Sequence, residues 1–219
     1  MSKTAILLGA TGLTGTHLLQ ILLNDPAFSK IKVFARKQTR YSHPKLEEHI
    51  VNVLQLDEQA NHFTGDVVFC CIGTTKAKTP DKQRYRDIDH GIPVEAAKLA
   101  KANGIGQFIV ISALGADVQS KIFYNRLKGE MERDVLAQGI LQTNILRPSL
   151  IVGNRTERRT GENISKHVMQ FLDFAIPKRY KFIEAKVIAQ AMVRLAKQGY
   201  PEKVILSDRI KEIAKQNGQ

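Results

Sequence analysis

The sequence predicts an α/β fold, in which a doubly wound parallel sheet of about seven strands has helices on both faces and a small C-terminal appendage. Short apolar runs alternate with amphipathic helical stretches along all 219 residues, which is the pattern of successive βαβ units. Several runs, such as residues 66–72, are almost wholly apolar, and strands covered by helices on both sides need that composition. A glycine-rich turn at residues 9–15 joins the first predicted strand to the first predicted helix.

The predicted elements follow one another in the order that such a sheet requires. Strands are expected at residues 4–8, 31–35, 49–54, 66–72, 107–112, 143–146 and 203–206, where β-branched and apolar residues cluster. Helices are expected at residues 13–24, within 81–102, and at 122–138, 164–174, 185–197 and beyond 207, where apolar residues recur at helical spacing. Pro93 indicates a kink or a helix start near Gly91, because proline lacks a backbone donor.

The net charge of +12 raises the question of an anionic partner. The basic residues are spread along the chain, however, and aromatic residues make up only 6% with no tryptophan, which leaves few platforms on which bases could stack. Solvated helix faces, such as the one bearing Lys98 and Lys101, account for most of the charge. Nucleic acid is therefore disfavoured as a partner.

Cysteine usage and hydropathy predict a cytoplasmic protein. No apolar run approaches the roughly 18 residues of a membrane span, and the run at residues 5–8 is too short for the core of a secretory signal. The two cysteines, Cys70 and Cys71, are sequence neighbours, which excludes a disulfide framework and fits a reducing compartment. No zinc-ligand spacing occurs, so no metal site is expected. Because no apolar run is long enough to span a membrane, no membrane partner is expected either.

The glycine-rich turn carries the first functional prediction. Between strand and helix stands the sequence Gly9-Ala10-Thr11-Gly12-Leu13-Thr14-Gly15, and a turn without Cβ atoms at its glycines lets backbone N–H groups approach a pyrophosphate. The candidate cofactor-binding residues here are Gly9, Thr11, Gly12, Leu13, Thr14 and Gly15. A plain tight turn is the alternative, but the complete βαβ unit favours a Rossmann-like dinucleotide site.

Two basic residues follow the second predicted strand, at the position where an acidic residue would hold the ribose hydroxyls of NAD. Arg36 and Lys37 stand there, and a guanidinium can pair with a 2′-phosphate. The sequence therefore predicts NADP as the cofactor, with NADPH preferred over NADH. A solvated basic turn is the alternative.

A tyrosine and a lysine are spaced for joint acid–base work. Tyr124 and Lys128 lie four residues apart, on one face of a helix, and a neighbouring cation favours the phenolate form of a tyrosine. Ser112 ends the fifth predicted strand, where its hydroxyl could bond a substrate carbonyl beside the tyrosine. A surface tyrosine with an incidental lysine is the alternative.

At this point the chain resembles the short-chain dehydrogenase/reductase superfamily, and most closely an atypical NAD(P)H-binding branch of it. The resemblance rests on the G-x-x-G-x-x-G spacing, the Ser112, Tyr124 and Lys128 trio, and the segments 70–76, 112–117 and 147–162. It implies that Tyr124 donates or accepts a proton, that Lys128 also binds the nicotinamide ribose, and that Ser112 polarises the reacting carbonyl. It further implies cofactor contacts for Cys71, Ile72, Gly73, Thr74, Arg147 and Pro148. In one departure, Asp89 stands where the superfamily often has an asparagine that supports the lysine through water.

Together these observations predict an NADP-dependent oxidoreductase acting on a small carbonyl substrate. The alternative is a non-catalytic NADPH-binding regulatory protein that docks on a protein partner, because a fold does not determine a function. The length fits one domain, residues 1–219, in which residues from about 150 onward add a small substrate-side lobe. The irregular segment 154–162 is expected to act as a lid or to be a solvated surface loop.

Overall fold

A computed structural model of the chain describes residues 2–153 and 177–216. The predicted helix at residues 164–174 and the loop at 154–162 lie outside the described residues.

A parallel sheet of seven strands forms the centre of the described part of the protein, with strand order β3-β2-β1-β4-β5-β6-β9. Its strands are β1 (Lys3–Leu8), β2 (Phe28–Ala35), β3 (Leu46–Ile50), β4 (Val67–Cys70), β5 (Gln107–Ile111), β6 (Gln142–Arg147) and β9 (Val204–Leu206). Each neighbouring pair is parallel, as in the register of Leu7 with Val33 on one side and with Phe69 on the other. The predicted fold class is confirmed.

Helices cover both faces of the sheet. They are α1 (Leu13–Asn24), α2 (Lys82–Arg86), α3 (Ile92–Ala102), α4 (Phe123–Leu136), α5 (Ala185–Gln198) and α6 (Ser207–Lys215). Because side chains alternate along a strand, Ala5 and Leu7 of β1 pack toward α1, α5 and α6, whereas Ile6 and Leu8 pack toward α3 and α4. None of the helices within the two described ranges is long and apolar enough to cross a membrane.

The strand order fixes where a crevice opens at the edge of the sheet. Connections from β1 run outward through β2 to β3, while those from β4 run the other way through β5 to β6. The loops that follow the neighbouring strands β1 and β4 therefore diverge, which leaves a crevice at the carboxyl ends of these strands, where doubly wound sheets bind ligands.

Two parts of the secondary structure differ from the prediction. The strand expected at residues 49–54 is wrong from residue 51 onward, because β3 spans Leu46–Ile50 and a 3₁₀ helix occupies Val53–Gln59. The side chain of Asn52 accepts a hydrogen bond from the backbone N–H of Leu54 and so caps this helix. In addition, β7 (Ile151–Val152) and β8 (Ile183–Glu184) form a two-stranded parallel sheet, too short to leave a periodic pattern in the sequence.

The stretch between β4 and β5 contains an irregular helical turn. A π-helical turn, Asp87–Gly91, joins α2 to α3, and the N–H of Ile92 donates to the carbonyl of Asp87, five residues earlier. Pro93 stands in the first turn of α3, so the predicted helix start near Gly91 is confirmed. Turns of this kind recur at functional sites, and this one buries Asp89.

Glycines allow the first loop to fold back on itself. Gly9 has a φ of 84°, and a Cβ on it would lie 2.7 Å from the carbonyl oxygen of Cys71, the residue that follows β4. A Cβ on Gly15 would lie 2.0 Å from the carbonyl oxygen of Gly9. These two glycines therefore allow α1, the loop and the end of β4 to pack backbone against backbone.

Replacing Gly15 by alanine is expected to destabilise the fold. The added methyl group overlaps the backbone of Gly9 and Ala10, and overpacking of this kind costs about 1–3 kcal/mol, which exceeds the gain in helix propensity of roughly 1 kcal/mol. Urea unfolding measures the difference. The matched control is Gly106→Ala, because nothing lies within 4 Å of a Cβ at Gly106. Equal midpoints for the two variants would contradict the packing argument.

Candidate active site

The carboxyl ends of β1, β4, β5 and β6 meet at one edge of the sheet, and the candidate site residues follow these strands. The glycine loop follows β1, the segment 71–74 follows β4, Ser112 follows β5 and Pro148 follows β6. The topology thus places residues distant in sequence around one crevice. Tyr124 and Lys128 reach this region from α4.

The glycine loop fits a dinucleotide pyrophosphate. Gly12 is exposed, and a Cβ on it would find only the carbonyl oxygen of Gly9, at 3.2 Å. Gly12 precedes α1 without any side-chain cap, so the first N–H groups of the helix remain available to an anion. Of its neighbours, Thr11 is also exposed and Thr14 is buried, while Leu13 lies against Gly153 beyond β7.

Arg36 and Lys37 follow β2 directly and are both exposed. The strand β2 pairs with β1, so the two cations stand at the same edge of the sheet as the glycine loop. The 2′-phosphate contact expected from the sequence stays a prediction.

The segment after β4 connects the glycine loop to the buried part of the site. Gly73 is exposed, Cys71, Ile72 and Thr74 are half-buried, and the N–H of Thr74 donates to Asp89 Oδ2 at 2.7 Å. Just before this segment, burial raises the pKa of the Cys70 thiol to about 11. This supports a packing role for Cys70, since a nucleophilic cysteine needs a lowered pKa.

Tyr124 and Lys128 differ sharply in exposure. Tyr124 is 38% exposed, whereas the Lys128 side chain is 4% exposed and its Nζ lies 3.0 Å from Asp89 Oδ1. Burial by itself would lower the pKa of the Lys128 ammonium, but the Asp89 carboxylate and the Tyr124 phenol outweigh it and hold that pKa above its ordinary value. Lys128 is therefore a protonated, ion-paired lysine one helical turn from an accessible phenol.

Tyr85 joins the tyrosine to the segment after β4. Its ring packs edge-on against the ring of Tyr124, with centroids 6.4 Å apart, and its hydroxyl donates to the carbonyl of Thr74 at 3.2 Å. Thr74 thus contacts Tyr85 through its carbonyl and Asp89 through its N–H, so both partners of the Tyr124–Lys128 pair are tied to one backbone position.

Ser112 belongs to a second buried network. Its hydroxyl donates to the carboxylate of Glu132, and Arg147 donates to both oxygens of that carboxylate at 2.9 and 2.5 Å. This contact with Glu132 raises the pKa of the Arg147 guanidinium. Ser112 is 4% exposed. In this arrangement its hydroxyl proton is donated to Glu132, whereas polarising a substrate carbonyl requires that the same proton be donated to the substrate.

Arg147 makes its contact through the side chain, whereas Pro148 makes its contact through the backbone. The Arg147 side chain is engaged by Glu132, and the carbonyl of Pro148 accepts a hydrogen bond from the N–H of Leu114. The cofactor contacts that the resemblance implies for Arg147 and Pro148 stay predictions.

Sequence reasoning missed Glu132 and Tyr85 and did not foresee the pairing of Asp89. One signal for Glu132 was present, because positions 124, 128 and 132 are four residues apart and fall on one helix face. Another signal is Gly129, where a Cβ would lie 2.4 Å from the backbone of Asp117 and Val118. This close approach holds α4 against the loop after β5. Within the described ranges, no cluster of three or more His, Cys, Asp or Glu residues could hold a metal ion.

The chain is similar to curated proteins over most of its length. It is 30% identical over 212 residues to Protein HTATIP2 of Rattus norvegicus, covering 95% of this chain and 87% of that relative. It is 32% identical over 180 residues to Protein FMP52-1, mitochondrial, of Scheffersomyces stipitis, covering 77% of this chain and 76% of that relative.

Solved structures share the fold at low sequence identity. A UDP-N-acetylglucosamine 4-epimerase from Methanobrevibacter ruminantium M1, in complex with UDP-N-acetylmuramic acid, matches with a TM-score of 0.71 at 18% identity, over 96% of this chain and 80% of that chain. A UDP-glucuronic acid 4-epimerase from Bacillus cereus, in complex with NAD, matches with a TM-score of 0.69 at 16% identity, over 92% and 76%. At such identities the likeness concerns the fold, which is Rossmann-like.

The predicted cytoplasmic location is wrong. Fungal relatives from Scheffersomyces stipitis, Emericella nidulans, Eremothecium gossypii and Candida albicans are all named as mitochondrial proteins. The prediction relied on the lack of long apolar runs, but mitochondrial targeting segments are amphipathic and arginine-rich. A search for apolar runs therefore does not test for them.

The family resemblance drawn from the sequence is confirmed by these findings. A family model described as NAD(P)H-binding matches residues 9–197. That range begins at the first glycine of the loop after β1, takes in the segment after β4 and the whole of α4, and reaches into α5. The chain belongs to the NAD(P)H-binding family.

Proposed function

We propose that the protein is an NADPH-dependent reductase of small carbonyl compounds, with Tyr124 as the proton donor. The observation that carries the proposal is the contrast on α4 between an accessible phenol and a buried, ion-paired lysine one turn away. A reductase of this kind needs one acid that reaches the substrate and one fixed cation beside it.

The bound cofactor would supply the hydride, and the chain's own residues would handle the proton. Tyr124 donates from its hydroxyl to the oxygen that gains negative charge. Lys128 remains protonated because the contacts described above hold its pKa above the ordinary value, so the phenol has a fixed ammonium as its neighbour on α4. Thr74 fixes the other end of the Lys128–Asp89 pair.

Ser112 has a narrower role in this proposal than the family resemblance implies. Since its proton is donated to Glu132, the Ser112 oxygen can accept a hydrogen bond without losing that contact. Donation to a substrate carbonyl would require the hydroxyl to turn away from Glu132. Tyr124 is therefore the group better placed to protonate the substrate.

The preference for NADPH is supported by Arg36 and Lys37. Both are exposed at the carboxyl end of β2, and a guanidinium and an ammonium offer matched charge to the 2′-phosphate that only NADP carries. The proposal of a small substrate rests on the length of the chain, since only 67 residues follow Val152. Of these, the described helices α5 and α6 pack into the core.

A non-catalytic NADPH-binding regulator that docks on a protein partner is the second candidate. The observation that favours it is the Ser112–Glu132 hydrogen bond, because a serine whose proton is committed elsewhere does not polarise a carbonyl. The two candidates share the cofactor site and differ in whether Tyr124 transfers a proton.

Gly12→Val is expected to abolish binding of NADPH and NADH while the protein stays folded. The backbone of Gly12, with φ −78° and ψ 170°, is open to valine, but the branched side chain would fill the space for the pyrophosphate. Calorimetric titration measures binding, and circular dichroism with Gly106→Val as the control monitors folding. Retained tight binding would place the nucleotide elsewhere.

Arg36→Ala is expected to weaken NADPH binding by about one to two decades and to leave NADH binding unchanged. A charge-assisted hydrogen bond contributes roughly 1.5–3 kcal/mol, and only NADPH carries the phosphate that would receive it. Calorimetry with both cofactors measures the ratio. Arg209→Ala, which removes an exposed arginine of α6, is the control, and equal affinity of the parent protein for both cofactors would refute the NADPH assignment.

Tyr124→Phe is expected to lower NADPH oxidation by roughly 10²- to 10⁴-fold at unchanged cofactor affinity, since it removes the proton donor and keeps the ring. A panel of small aldehydes, ketones and quinones supplies the substrates, and Tyr200→Phe is the control because that hydroxyl bonds Arg209. Tight NADPH binding with no turnover across the panel, for parent and variant alike, would favour the regulator.

A further inference from the structure

We propose that Asp89 is a positioning residue that cancels the charge of Lys128, so that Tyr124 keeps its proton at neutral pH and acts as an acid. This inference deepens the proposed function, because it rests on Tyr124 as the proton donor. It concerns whether Tyr124 is better suited to act as an acid, in reduction, or as a base, in oxidation. It starts from the departure seen in the sequence, where a carboxylate stands at a position often held by an amide.

The contact between Asp89 and Lys128 is direct and buried. The atoms Oδ1 and Nζ are 3.0 Å apart, and the two side chains are 2% and 4% exposed. The second oxygen, Oδ2, accepts the N–H of Thr74 at 2.7 Å. Both oxygens thus accept from N–H donors, which is the bonding pattern of an ionised carboxylate.

The other groups that face Lys128 add no full charge. Cys70 approaches from β4 and Tyr124 from the helix of Lys128 itself, and burial keeps Cys70 a neutral thiol, with a pKa of about 11. One turn further along α4, the carboxylate of Glu132 is matched by Arg147. Around Lys128 the described charges are therefore its own and that of Asp89.

The outer side of the same elements carries more cations than carboxylates. Arg86 of α2 pairs with Glu130 of α4 at 2.6 Å, and Arg126 lies 4.0 Å from the same carboxylate. Asp134 pairs with Arg133 at 2.7 Å and with His90 of the π-helical turn at 2.8 Å. These arginines are 42–62% exposed, so that solvent screens their charges more strongly than the buried charge of Lys128. On the side of Tyr124 that faces α2, the packed group is the Tyr85 ring.

The balance between the Lys128 ammonium and the Asp89 carboxylate decides the protonation state of Tyr124. An unopposed cation within about 4–6 Å lowers the pKa of an acid by about 1–3 units, which would bring a tyrosine from about 10 to about 7–9 and leave between about 1% and half of it ionised at pH 7. A carboxylate in contact with that cation offsets the effect, since opposite charges side by side leave a weak field at a third group. An amide at position 89 would accept the same hydrogen bond from Lys128 but would leave its charge unopposed.

The test is the titration midpoint of Tyr124, which needs no substrate. The protein has five tyrosines, so the phenolate absorbance of each variant is compared with that of its Tyr124→Phe counterpart. Asp89→Asn is expected to lower the Tyr124 midpoint by at least about one pH unit, whereas Asp89→Glu keeps the charge and is expected to keep the midpoint near that of the parent. An unchanged midpoint in a folded Asp89→Asn variant would overturn the inference.

A second variant covers the case in which Asp89→Asn does not fold, because an unpaired buried charge costs about 3–5 kcal/mol. The double variant Asp89→Asn with Lys128→Met has no unpaired buried charge at these positions. If Asp89 cancels Lys128 in the parent, the double variant titrates within about half a pH unit of it. A midpoint one unit or more above that of the parent would show that the lysine charge acts on Tyr124 unopposed, and would refute the inference.

The outcome separates this inference from the proposed function. A lowered midpoint in Asp89→Asn together with no turnover by the parent would support the electrostatic role and remove the reductase. When a substrate is in hand, reduction by Asp89→Asn is expected to fall off at a pH about one unit lower than in the parent. A merely structural role for Asp89 would change the rate at every pH alike.

Discussion

Two ion pairs, one buried and one partly exposed, fix α4 against the carboxyl edge of the sheet, and the candidate site depends on where that helix lies. Lys128 pairs with Asp89 of the π-helical turn, and one turn later Glu132 pairs with Arg147 at the end of β6. Buried ion pairs add little net stability compared with apolar packing, but removing one partner is strongly destabilising. Their contribution here is therefore to specify one position of α4, and with it the position of Tyr124.

The segment after β4 connects this helix to the glycine loop. The backbone of Cys71 and Ile72 lies so close to Gly9 that a Cβ there has no room, and Thr74 contacts both Asp89 and Tyr85. One short stretch of backbone thus touches both the glycine loop and the residues that contact Tyr124 and Lys128. A displacement of this segment would move groups on both sides of the crevice, because the segment makes both contacts through its backbone and not through a flexible side chain.

The parts of this architecture that were predictable from sequence are those with a local cause. The glycine spacing, the apolar strands and the helical interval between Tyr124 and Lys128 are set by neighbours in the chain, and the structure has them where they were expected. The predicted strand at residues 51–54 failed although its cause is also local. These residues have strand-like composition, yet the side chain of Asn52 caps a 3₁₀ helix that begins at Val53.

The pairings of the buried residues could not be predicted, because their partners are distant in sequence. The helical interval from Lys128 to Glu132 puts both on one face of α4 but does not show what they contact. Glu132 and Ser112 are 20 residues apart, and nothing in their local pattern shows that β5 brings one beneath the other. Asp89 was recognised as a departure from the family pattern, but its pairing depends on the π-helical turn that carries it inward, and Pro93 indicated that turn only as a break. The charge balance of the site is thus a property of the tertiary structure, in which Glu132 accepts the Ser112 proton and Asp89 opposes the charge of Lys128.

A buried lysine is unfavourable unless it is paired, and Lys128 is paired one helical turn from a tyrosine that is 38% exposed. The proposed reductase would use that tyrosine as its acid, and the charges beside the tyrosine would set its affinity for the proton. A nucleotide-binding regulator would use the glycine loop alone, so the two candidates differ in whether these charges act on a reaction.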